Sequence, residues 1–152
     1  MQFLNNYSNR ELNIWAELIL SILVSFYFFP KIFPLIINDQ LYSESLVDIV
    51  MTSIIIAIIY SIFVFGAINT LTKREEKDER DYIYELKSYR ISNIISQVSI
   101  YLLISLIVFN PINQVRLNEF TAPMIAMILP IITLLSSIGK CLTQLFNYRK
   151  NI

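Results

Sequence analysis

The sequence predicts an all-α polytopic membrane protein: four transmembrane helices, with a charged and largely helical cytoplasmic loop between the second and third. Three observations lead there. Hydrophobic residues make up 55% of the chain and mean hydropathy is +0.57, more apolar than a soluble domain of this size. The apolar residues are gathered into four long blocks rather than spaced at core-facing intervals. Charge is gathered too, since twelve of the charged side chains, six basic and six acidic, fall between Lys73 and Arg90.

Crossing about 30 Å of hydrocarbon at about 1.5 Å per residue takes roughly 20 residues, so each block is long enough to span once as a helix. The first block runs from Trp15 to Phe29 and continues, with a break, to Ile37; the span is expected over about 13–37. Glu11 and Glu17 do not suit the basic leader of a signal peptide, and no small-x-small cleavage site follows Phe29, so an uncleaved anchor is expected. Pro30 and Pro34 each remove a backbone donor and clash with the preceding turn, which predicts a kink or an end near Phe29 and marks both as hinge candidates. Lys31, between them, is expected to snorkel to the outer headgroups.

The second block, Leu46 to Ile68, predicts a span over about 46–70. Its stretch SIIIAIIYSIFVF, Ser53 to Phe65, is apolar on every side, which fits lipid and not the water-facing surface of a soluble four-helix bundle. No glycine or proline occurs between Ala67 and Asn110. A turn is therefore expected near Thr72 to Lys77, followed by a helix that starts at an Asp78 N-cap and runs straight into span three. Within the loop, about 71–90, opposite charges four apart pair Arg74 with Asp78, Glu76 with Arg80 and Lys77 with Asp81, each worth about 0.2–0.5 kcal/mol. Glu79 and Asp81 in the first turn suit the helix dipole.

Tyr82, Leu86 and Tyr89 fall on one face with Asn93. Such a stripe serves either as an interfacial anchor or as a docking surface, in which aromatics supply energy and charges set register. The candidate partner-docking set is Asp78, Glu79, Arg80, Asp81, Tyr82, Leu86 and Tyr89.

The third block, Ile91 to Phe109, predicts a span over about 90–110, and the fourth, Ala122 to Ile138 continuing to Phe146, one over about 121–146. Both carry polar rows: Asn93, Gln97 and Tyr101 beside Ser92, Ser96 and Ser99, then Thr133, Ser136, Ser137, Lys140, Gln144 and Asn147. Helix packing is the ordinary use of such residues. Asn93, Gln97, Tyr101, Ser136, Ser137, Lys140 and Gln144 are the candidate oligomer-contact or pore-lining residues. Lys140, about one to two turns below the inner surface, is expected to snorkel inward, line water, or pair with a carboxylate of the central loop.

Arg10, the loop cations, Arg149 and Lys150 all lie on one side of this topology, and the two connections on the other, Asn38 to Ser45 and Asn110 to Thr121, contain only Arg116. The positive-inside rule puts both termini and the charged loop in the cytoplasm of a bacterial inner (plasma) membrane. The single Cys141 excludes an intramolecular disulfide, and the absence of histidine removes histidine-based triads. No catalytic, cofactor-binding or metal site is expected, and with net charge +0 no direct nucleic-acid binding either.

The stretch Lys77, Asp78, Glu79, Arg80, Asp81 and Ile83, with the tail Tyr148, Arg149 and Lys150, resembles a group of small four-span prokaryotic membrane proteins that carry a K-D-E-R-D-x-I loop signature. That resemblance implies topology and no activity. In size and topology the chain is also similar to membrane subunits of bacterial phage defence, KwaA of Kiwa and RexB. This implies a membrane-resident sensor or effector beside a soluble cytoplasmic partner, or an ion-conducting pore. The expectation is a non-enzymatic, homo-oligomeric subunit in the lipid bilayer that recruits or signals to a soluble cytoplasmic protein; the alternative is an ion channel or pore-forming effector.

Overall fold

A computed structural model describes residues 9–37, 44–71, 78–113 and 122–150, and all but Asp78 of these are helical. Helix α1 is Asn9–Ile37 and α2 is Glu44–Tyr60. A π-helical segment, Ser61–Phe65, continues α2 into α3, Gly66–Leu71. Helix α4 is Glu79–Asn113 and α5 is Ala122–Lys150. Three helical stretches are long and apolar enough to cross a membrane: Asn9–Ile37, Ser45–Leu71 and Met127–Lys150. The surface of the molecule fits that solvent. Ile54, Ile55, Ile58, Ile59, Ile62 and Phe63 on the second stretch all stand exposed, with Phe63 at 71%. In water such a surface would drive aggregation; in lipid it is the ordinary outside of a helix.

The helices pack in a row. Helix α4 lies on α5, α5 lies on α1, and α1 carries α2 and α3 on its other side. The helices thus form a layer with α1 and α5 at its centre. At the end where α1 finishes, Phe28, Ile32 and Leu35 of α1 close on Leu46 and Ile49 of α2 and on Met127 of α5. At the other end Ile14 and Leu18 pack against Cys141, which is fully buried, and Leu145.

That packing removes one of the two expectations for span one, an end near Phe29, and agrees with a span that reaches residue 37. Helix α1 does not end at Phe29; it continues through Pro30 and Pro34 to Ile37. Each proline removes one backbone donor from the helix, but Phe28, Ile32 and Leu35 lock the turns on either side into the apolar cluster with α2 and α5. Tertiary contact outweighs the local cost. Lys31 stays exposed and turns back along the helix, with Nζ donating to Tyr27 Oη at 3.1 Å and lying 4.3 Å from that ring.

Polar side chains hold the middle of the layer. Ser92 and Ser96 of α4 both reach Ser136 of α5, at 2.6 and 2.9 Å, and Ser136 Oγ also donates to the Ser92 carbonyl at 3.1 Å. Ser21 of α1 meets Ser137 of α5 at 2.9 Å. Small hydroxyls allow close approach and bridge helices where lipid offers no hydrophobic drive to associate them. Gly139 serves the same approach: a Cβ at that position would overlap Ile95 Cδ1 of α4. On the far side of α1, the Tyr60 hydroxyl donates to the Ala16 carbonyl at 3.1 Å and ties the last turn of α2 to α1.

The charged helix begins as its sequence predicts. The Asp78 carboxylate accepts from the Glu79 N–H at 2.7 Å, and the Asp78 carbonyl accepts from Asp81 and Tyr82 at 3.1 and 3.4 Å. The Asp81 carboxylate reaches back to accept from the Asp78 N–H at 3.0 Å, the return half of a capping box. From there α4 continues unbroken for 35 residues, about 52 Å at the helical rise. The loop pairs that involve Arg74, Glu76 and Lys77, and the turn near Thr72 to Lys77, lie outside the described residues. Arg80 pairs with Asp78 at 3.5 Å, largely exposed, and such a pair contributes little.

Candidate functional site: a charged cleft beside an exposed helix face

The end of the layer that carries Arg10, Asp81 and Tyr148 holds most of the molecule's polar chemistry. The N-terminal turns of α1 and α4 and the C-terminal turns of α5 converge there, because alternate helices run in opposite directions. Arg10 Nη1 of α1 pairs with Asp81 Oδ2 of α4, and the Tyr148 hydroxyl of α5 donates to Asp81 Oδ1 at 2.6 Å. Tyr148 also packs edge-on against Tyr84, ring centroids 5.2 Å apart. One carboxylate thus receives a group from each neighbouring helix while capping its own.

One to two turns deeper, Lys140 Nζ of α5 donates to Glu17 Oε1 of α1 at 2.6 Å, and lies 5.1 Å from the centre of the Tyr89 ring of α4. The two side chains are 18% and 32% exposed. Lys140 is paired, but with a carboxylate of span one rather than the central-loop carboxylate expected. Lys140 and Glu17 sit in the wall of a cleft of about 310 Å³, which Arg10, Glu85, Gln144 and Phe65 also line. The cleft is of mixed sign, with carboxylates of Glu17, Asp81 and Glu85 facing the cations of Arg10 and Lys140. Among the described residues no group of three or more Asp, Glu, Cys or His side chains is placed to hold a metal ion. A second, mostly apolar groove of about 510 Å³ opens between α2 and α5 over α1.

The docking candidates divide. Asp78, Glu79, Arg80, Tyr82 and Leu86 are exposed, with Tyr82 at 57% and Leu86 at 73%. Asp81 is not part of that surface: its side chain is 19% exposed and committed to Arg10 and Tyr148. Tyr89 is shared, half-exposed yet set beside Lys140. On the opposite side of the same turns Tyr84 and Ser88 are buried, Ser88 completely, so this part of α4 is clamped on one side and open on the other.

The oligomer and pore candidates divide too. Ser136 and Ser137 are spent on contacts within the chain, and Lys140 and Gln144 line the cleft. Asn93, Gln97 and Tyr101 instead stand on the outside of α4, exposed. Arg10 and Glu17 carry more of the site than the sequence pattern assigned them. A lone carboxylate in one apolar span and a lone ammonium at similar depth in another was the available signal for Glu17. The chain matches no family model, no curated protein and no solved structure.

Proposed function

We propose that the chain is a non-enzymatic subunit of the bacterial inner membrane that crosses four times, with α4 as its third span, and holds a soluble protein at its cytoplasmic face. Both termini and the loop before α4 lie in the cytoplasm on this reading, which the grouping of Arg10, the loop cations, Arg149 and Lys150 supports. The observation that carries the reading is the exposed Tyr82–Leu86 face on the first turns of α4. It is rigid because its reverse side is fixed by Asp81, Tyr84 and Ser88, so a partner binding there loses little helix entropy. Its charges, Glu79, Arg80 and Lys87, surround the aromatic and aliphatic centre as a rim surrounds an interface core. Similarity in size and topology to phage-defence membrane subunits supplies the rest: a sensor of envelope disturbance that signals inward.

A photo-crosslinking residue at Leu86, introduced in cells, tests this. A discrete adduct that disappears in Glu79→Lys/Arg80→Glu, with Asp81 left in place and membrane insertion intact, is the expected result; no adduct at Leu86 refutes partner docking. A second reading, a pore-forming effector, is favoured by the charged cleft alone, and calls for ion flux in liposomes that Lys140→Leu abolishes.

A further inference from the structure

The outside of α4 carries two side-chain amides that no other described residue answers. Asn93 and Gln97 are one helical turn apart and exposed, and among the described residues neither has a hydrogen-bond partner. Tyr101, at 69% exposure, continues the row. Their helix neighbours Ser92 and Ser96 face the other way and are satisfied by Ser136, so the polar content of α4 is split between a used face and an unused one. If α4 crosses the membrane, as the reading above holds, the unused face meets lipid, where an unpaired amide is costly and water cannot relieve it.

We infer that a second copy of this chain covers the row, with the two α4 helices packed side by side about a two-fold axis along the membrane normal. Three features select a second copy. Both copies insert in the same orientation, so a two-fold axis along the normal makes the helices parallel and brings each row residue opposite its counterpart. A carboxamide both donates and accepts, so Asn93 and Gln97 satisfy their own images, which a row of single-sign charges would not. The positions Asn93, Gln97, Tyr101 and Ile104, spaced four, four and three apart, keep to one helix face over eleven residues, and a buried amide on such a face can fix register and subunit number. Arg90 lies on the same row one turn nearer the charged end. Its image would repel it, so the contact stops there and leaves Tyr82 and Leu86 of both copies open.

Cysteine cross-linking in native membranes tests the pairing. The native Cys141 is fully buried and can stay in place. Asn93→Cys and Gln97→Cys are expected to form dimers on mild oxidation, because disulfides need Cα atoms within about 7 Å, whereas Ile58→Cys on the exposed face of α2 is expected to remain monomeric. The double variant Asn93→Leu/Gln97→Leu, which alters only outward side chains, is expected to weaken dimerisation about tenfold in energy transfer between labelled copies in liposomes. Cross-linking equal at positions 58, 93 and 97 overturns the proposal, and so does a ladder of higher oligomers, which would instead suit a pore. Labelling of Arg116→Cys by an impermeant maleimide added outside separates two kinds of failure. Labelling without dimers defeats the pairing alone, whereas the absence of labelling defeats the third crossing and the pairing with it.

Discussion

Replacing Lys140 by leucine should destabilise the protein and leave it worse off than replacing Lys140 and Glu17 together. The ammonium and carboxylate are 2.6 Å apart, on side chains 18% and 32% exposed. Removing one member of a fully buried ion pair costs about 3–5 kcal/mol, because the other is left charged without compensation. Here both groups border a cleft rather than a sealed interior, so screening lowers the expected loss to about 2 kcal/mol. For a chain of this length a loss of 1 kcal/mol lowers the melting temperature by about 2–4 °C, which predicts a drop of about 4–8 °C for Lys140→Leu in detergent. Glu17→Leu should behave alike, since it strands the ammonium. The double variant removes both desolvation costs and should recover at least half of the loss, a coupling of about 1–2 kcal/mol in a double-mutant cycle. The assay is thermal unfolding followed by size-exclusion recovery at fixed detergent and salt. Losses that simply add, or a Lys140→Leu protein as stable as the parent, would refute the pairing as the reason Lys140 is held within α5.

Two further outcomes follow from the packing. Gly139→Val should cost about 1–3 kcal/mol by overpacking against Ile95, and Ile95→Ala should restore part of it, as read by the same melting assay; failure of that rescue would show that α4 and α5 do not approach at Gly139. Asp81→Ala removes the partner of Arg10, the acceptor of Tyr148 and the return bond to the Asp78 N–H. Hydrogen exchange at the amides of residues 79–83 should then quicken several-fold, as loss of a cap worth about 1 kcal/mol requires, while protection near Ser96 is unchanged.

The long apolar helices were legible because the demand of crossing hydrocarbon shows in length and composition. The second apolar block gives an unbroken helical stretch over Ser45–Leu71, within a residue of the expected 46–70, and the fourth gives Ala122–Lys150. The Asp78 cap was legible because capping is local chemistry. Pro30 and Pro34 left a helix end at Phe29 open for the complementary reason: the local rule is sound, but the contacts that carry the helix onward come from Leu46, Ile49 and Met127, which are distant in the chain. The π-helical turns at Ser61–Phe65 have no marker in the residues themselves, and they bring Phe65 to the cleft. At the site, spacing along α4 put Tyr82 and Leu86 on one face correctly, and it included Asp81 with them only because it could not see Arg10 and Tyr148 arriving from other helices. Helical periodicity locates a face; it does not say which neighbour, if any, covers it.

The joint between α4 and α5, built from Ser92, Ser96, Ser136 and a glycine, has a thermal consequence. On the proposal that α4 crosses the bilayer, parting these helices transfers almost no hydrocarbon into water, so the event should carry little heat-capacity change, unlike the opening of a water-soluble core. Its free energy should therefore vary nearly linearly with temperature, without the dome that makes soluble folds loosen in the cold, and chilling should only tighten it.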